Sequence, residues 1–117
     1  MNSIRTIKVT EEFHERPKGR YITDAPGCEK TAGEVFRKNI LVDALNDNDA
    51  VIVDLTGYNR YGRSFLDEAF GGLIARAGFT KAELDKKLTI KHDFVDLFIE
   101  IAHERIEAAE GKRRTHE

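Results

Sequence analysis

A chain of 117 residues, 40% hydrophobic and 34% charged with only 2 prolines, has the size and composition of one compact domain and not of a disordered segment. Lys and Arg number 19 against 21 Asp and Glu, a formal net charge of -2. This speaks against nucleic acid as a partner, although Arg16, Lys18 and Arg20 form a local basic stretch. The single cysteine, Cys28, excludes an internal disulfide, and no run approaches the roughly 20 apolar residues that span a bilayer. With no signal-peptide core at the start, the expected setting is cytoplasmic, away from membranes.

From Ile4 to Phe13 apolar and polar residues alternate, placing Ile7 and Val9 on one face, and this predicts an edge or half-buried strand. Pro17 and Gly19 mark a turn, and a short second strand over Arg20 to Thr23 would complete a hairpin. Thr31 and Glu34 have capping-box spacing ahead of an amphipathic helix that carries Phe36, Ile40 and Ala44 on one stripe and ends near Leu45. The stretch AVIVDL, residues 50 to 55, is continuously apolar and largely β-branched, as expected of a central strand.

The loop TGYNRYGR then leads into SFLDEAFGGLIARA, a helix with a wide apolar face, Ser64 as its expected N-cap and Gly78 as its stop. Gly71 and Gly72 each cost about 1 kcal/mol relative to alanine inside a helix, so the pair predicts close packing against a neighbouring backbone. Thr80 and Glu83 form a second capping box, opening a short helix to about Lys87. LTIKH, residues 88 to 92, reads as a last strand. Asp93 is placed to cap a long helix that Gly111 ends, leaving 111–117 as a frayed tail. The prediction is a single α/β domain over 1–117, with its core at about 4–110, a small mixed sheet of about four strands and three to four helices packed against it.

No complete catalytic motif is present. In GCEKTAG the Lys30-Thr31 pair precedes Gly33, whereas a phosphate loop needs it directly after the last glycine. HERIE, residues 103 to 107, has Glu107 where a zinc-protease helix has its second histidine, and His14, His92 and His116 offer no ligand spacing. GYNRYG is not a nucleophile elbow, and adjacent Asp67 and Glu68 diverge by about 100° on a helix. The expectation is a non-enzymatic domain without cofactor or metal. Asp54 ends the central strand, where α/β proteins place functional groups and where a carboxylate also organises loops.

Three segments in order, TAGEVFR (31–37), VIVDLTG (51–57) and GRSFLDEAFGGL (62–73), resemble the bacterial STAS-like domains, a family of unassigned function. The resemblance covers about residues 4 to 106 and implies the fold of the anti-sigma-factor antagonists. In those proteins a partner kinase that is also the anti-sigma factor phosphorylates a serine in the loop after the central strand, and this breaks the complex. Ser64 corresponds most nearly to that phosphoacceptor and Asp54 to the strand-ending aspartate. Arg63 stands where the antagonists carry Asp or Ser, and Phe65 where they carry a small residue.

Two functions from different classes follow. In the first, a regulatory module docks through the surface at 56–70, using Tyr58, Arg60, Tyr61, Arg63 and Asp67, to an ATP-binding kinase-like protein with Ser64 as switch. In the second, the domain binds a nucleotide or other small anion between the end of strand 50–55 and the Ser64 helix start, with Asp54 and Arg60 contributing.

Overall fold

The computed structural model describes residues 3–115. Three parallel strands, β1 (Ile4–Lys8), β2 (Ala50–Asp54) and β3 (Leu88–Lys91), form one sheet with β2 in the middle. Ile4 pairs with Ala50 and Lys8 with Asp54; on the other side Val51 pairs with Leu88 and Asp54 with Lys91. The continuously apolar strand is thus the central one. The sheet has three strands instead of four and is parallel instead of mixed.

The missing strand has a local cause. Asp24 accepts the amides of Arg20 (2.8 Å) and Tyr21 (3.1 Å), and Glu34 accepts that of Ile22 (3.2 Å), so three of the four amides in Arg20–Thr23 are already taken by side chains instead of a ladder. The first strand is also shorter than its alternation suggests. It ends at Lys8, where β2 ends, and α1 (Val9–Glu12) follows with Glu12 accepting the Lys8 amide at 2.8 Å.

After α2 (Cys28–Thr31), α3 spans residues 33–47 and includes a π-helical stretch at Arg37–Leu41. The capping box at Thr31 does not form. The amides of Gly33 and Glu34 donate instead to the Gly19 and Arg20 carbonyls at 2.9 and 3.2 Å, and Thr31 Oγ1 donates to Lys18. Helix α4 spans residues 63–75 and has a π-helical stretch of its own at Asp67–Gly71. Gly78, at φ +85°, follows the end of α4 as expected, with the Phe79 amide donating back to Leu73.

Helix α5 (Lys81–Lys87) opens on the predicted Thr80–Glu83 capping box, with both of its reciprocal bonds made. The last helix, α6 (Asp96–Thr115), begins later and ends later than its sequence signals suggest. His92 Nδ1 accepts the Phe94 and Val95 amides at 3.1 and 3.0 Å, the work that Asp93 was expected to do. Gly111 is exposed and α6 runs through it, supported by the Glu110–Arg113 pair.

Helices α3, α4 and α6 cover the sheet. Ile7, Val51, Val53 and Ile90 point into a core shared with Phe36, Leu41, Phe65, Phe70, Leu73 and Phe98. None of the helices among the described residues is long and apolar enough to cross a membrane. His116 lies outside the described residues.

Candidate functional site

The C-terminal edge of a parallel sheet is where strand-following loops converge. Here those loops are residues 55–62 after β2 and 92–95 after β3, and they are tied together. Asp54 Oδ1 accepts the Thr56 amide (3.0 Å), Thr56 Oγ1 accepts the Asp93 amide (2.9 Å), and Thr10 Oγ1 donates to the Thr56 carbonyl (3.1 Å). At Gly57, φ +109°, a Cβ would stand 2.6 Å from Thr10 Oγ1, so the turn needs glycine for both conformation and space. Burial would raise the Asp54 carboxyl, but the Thr56 hydroxyl and amide, with Lys91 and Lys8, hold it below its ordinary value. Asp54 therefore organises the loop as a carboxylate.

The two tyrosines separate. Tyr61 is buried: its hydroxyl donates to the Leu55 carbonyl (2.9 Å) and its ring packs against Phe65 and Phe98 at 5.7 and 5.3 Å. Burial, then the Asp54 charge, pushes its phenol well above the ordinary tyrosine value. Tyr61 is thus core and not one of the exposed aromatics. Tyr58 is half-buried, edge-on to Tyr61 at 5.1 Å, with its carbonyl 3.0 Å from His92 Nε2. Since Nδ1 of that ring is an acceptor, Nε2 carries the proton and donates. The turn built on His92 throws Phe94 outward, 80% exposed, and Leu97 is 56% exposed. Helical spacing puts Phe94 on one apolar stripe with Phe98, Ile101, Ala102 and Ile106, but the helix starts only at Asp96, so Phe94 precedes it and does not share that burial.

Gly62, not Ser64, holds the N-cap position of α4, and its carbonyl accepts the Leu66 amide at 3.2 Å. The capping role expected of Ser64 is therefore absent. Ser64 lies at the second helical position, exposed, and its hydroxyl makes no hydrogen bond among the described residues. Arg60 is exposed in the preceding loop, and Arg63 reaches across to Glu104 on α6 at 2.9 Å. None of Asp54, Arg60 and Ser64 lines any of the three cavities described.

Asp67 belongs to a different constellation, one the sequence reading missed. Glu68 is 3% exposed; its Oε2 accepts from Arg37 Nη1 (2.7 Å) and Arg76 Nε (2.6 Å). Arg37, itself 2% exposed, also donates to the Glu68 carbonyl at 2.5 Å. Arg20 pairs with Asp67 and stands 3.8 Å from Glu68 Oε1, so the two divergent carboxylates are bridged by one guanidinium. The Arg20 and Arg76 guanidiniums are held above their ordinary values, chiefly by hydrogen bonds to Asp67 and Glu68 respectively.

The network sits where the π-helical stretches of α3 and α4 meet, and glycine makes the meeting possible. A Cβ on Gly33 would lie 2.5 Å from the Phe65 carbonyl, and one on Gly72 would collide with the Arg37 guanidinium. Gly71 bears out the expected close backbone approach: a Cβ there would stand 3.1 Å from the Arg105 carbonyl of α6. Two signals could have located Arg37: it stands four residues after Gly33 and four before Leu41, on the buried stripe, opposite a helix with two adjacent glycines.

Sheet order, helix placement and the ordered loop after a central strand define a small parallel α/β domain. Residues 32–93, more than half of the chain, match the family described as the STAS-like domain of unknown function (DUF4325), and the chain belongs to that family. The match includes α3, β2, α4, α5 and β3; β1 and α6 fall outside it. Neither the search of curated proteins nor that of solved structures returned a match.

Proposed function

We propose that this domain is a non-enzymatic regulatory module that docks to a protein partner through the loop at 55–62, the first turn of α4 and the adjoining Phe94–Leu97 segment. The observation that carries this reading is the exposure of Phe94 and Leu97 beside half-buried Tyr58, with Arg60 in the same surface. Large apolar groups left in water, with an exposed arginine in the neighbouring loop that has no ion pair among the described residues, are typical anchors of an interface. A cytoplasmic setting and an ATP-binding kinase-like partner accompany the reading, by analogy with the anti-sigma-factor antagonists.

Ser64 supports the switch. A phosphoryl group there would add about two negative charges to the first turn of α4, where unpaired backbone N–H groups favour anions. Arg63 would exchange Glu104 for it, and Arg60 is available from the loop. Pull-down from the native extract, identified by mass spectrometry, tests the proposal. One partner should be retained by wild type and lost by both Phe94→Ser and Ser64→Asp. A captured set that neither substitution changes would count against the docking surface.

A further inference from the structure

A cavity of about 470 Å³ lies between α4 and the C-terminal half of α6, and neither the docking loop at 55–62 nor the Phe94–Leu97 segment lines it. That volume takes a small organic molecule and exceeds the need of a bare inorganic anion. Five cationic side chains line it, Arg20, Arg76, Arg105, Lys112 and Arg113, against only Asp67 and Glu68.

Most of these charges already have partners. Arg20 pairs with Asp67, Arg113 makes a two-point bond to Glu110, and Glu68 is shared between Arg76 and Arg37. One carboxylate shared by two guanidiniums leaves positive charge in excess. Arg105 and Lys112 are less well used. Arg105 Nε is buried without a hydrogen-bond partner, and its nearest carboxylate oxygen, Asp67 Oδ1, is 3.8 Å away. Nε itself is shut off from the cavity, but the Arg105 side chain, 26% exposed, lines it, and Glu104 stands no closer than 3.9 Å to its Nη2. Lys112 has no ion pair among the described residues.

The two cations stand seven residues apart on α6, about 10 Å along one face, and both side chains are long enough to converge on the space between. That space is lined by small residues: Ala108 and Ala109 on α6 face Gly71 and Ala75 on α4. We propose that this trough binds a phosphate monoester with a small organic body. The phosphate oxygens accept from the outer Nη groups of Arg105 and from Lys112, whose donors suit a tetrahedral dianion, and the body rests on the alanine and glycine floor.

Binding to phenyl phosphate, inorganic phosphate and phenol, followed by calorimetry and thermal shift at matched ionic strength, tests this. Phenyl phosphate should bind and raise the melting temperature, inorganic phosphate should bind more weakly, and phenol should not bind. Lys112→Glu, at an exposed position, should leave the ligand-free melting temperature unchanged and weaken phenyl phosphate about tenfold. Arg105→Gln should weaken it too, while Arg60→Glu in the docking loop should not. The inference is overturned if phenyl phosphate does no more than sodium chloride of equal ionic strength, or if Lys112→Glu binds it like wild type. Equal affinity for phosphate and phenyl phosphate would overturn the role of the organic body.

Discussion

Two arginine–carboxylate bridges between helices, Arg37–Glu68 from α3 to α4 and Arg63–Glu104 from α4 to α6, have similar lengths, 2.7 and 2.9 Å, in opposite surroundings. The first is almost completely buried; both partners of the second are more than half exposed. Geometry alone therefore says little about what either contributes. In the interior each charge has lost its water and depends on its partner, so the pair specifies how α3 and α4 meet. At the surface, water and salt screen the interaction, and Arg63 can change partners at little cost. One region is built to hold a unique packing, the other to be rearranged.

The largest expected effect tests the buried half of that contrast. Glu68→Ala leaves Arg37 charged and unpaired in the core and should cost about 3–5 kcal/mol, read from urea or guanidinium unfolding. Replacing both partners, as Arg37→Met with Glu68→Leu, should recover much of the loss; a double variant as unstable as the single would show that the pair is net stabilising. Next is Gly72→Ala, which drives a methyl into the Arg37 guanidinium. Overpacking of this kind costs about 1–3 kcal/mol, and Arg37→Met in the same chain should reduce it if the collision is the cause.

Tyr61→Phe leaves the Leu55 carbonyl without its hydroxyl donor while keeping the ring contacts with Phe65 and Phe98. About 1–2 kcal/mol of lost stability is expected, with no change in partner binding, because the ring is core. At the low end, Arg63→Ala should change stability by no more than about 0.5 kcal/mol. A larger loss would collapse the distinction between the two pairs.

Acid unfolding adds a test of the loop. The Asp54 carboxyl is held below its ordinary value, so it contributes stability above pH 3.8 that is lost as pH falls through its folded value. Asp54→Asn should lower stability at neutral pH and flatten the acid limb; an unchanged limb would show that the carboxylate does not organise the loop.

The elements that sequence periodicity located were those whose signals are local. The β-branched run at 50–55 became the central strand, and Thr80–Glu83 made its capping box, because nothing else competes for those amides. Where a second segment competed, the local signal lost. Thr31 has the same box spacing, but the Gly19 and Arg20 carbonyls took the amides it would have capped. Ser64 has a capping side chain, but α4 starts at Arg63, with the cap position two residues earlier than expected, at Gly62. Asp93 yielded to a histidine ring whose nitrogen lies within reach of two backbone donors.

The same division runs through the candidate sites. Composition, the Asp54–Ser64 interval and the family resemblance were legible in the chain itself, and they brought the loop after β2 to attention. That Tyr61 turns inward while Phe94 turns outward is not local information: Tyr61 stands in a polar loop between Arg60 and Gly62 and Phe94 beside apolar residues, and only the packed neighbours decide. The meeting of Arg20, Arg37, Glu68, Arg76 and Arg105 was beyond periodicity for a similar reason. Those residues come from four segments, and charged side chains read as solvated until the fold removes their water. The sequence by itself determined the alternation of strand and helix, through hydrogen-bonding and burial patterns within a few residues. Only the tertiary structure decided which polar groups became core, because desolvation depends on every segment that closes over them.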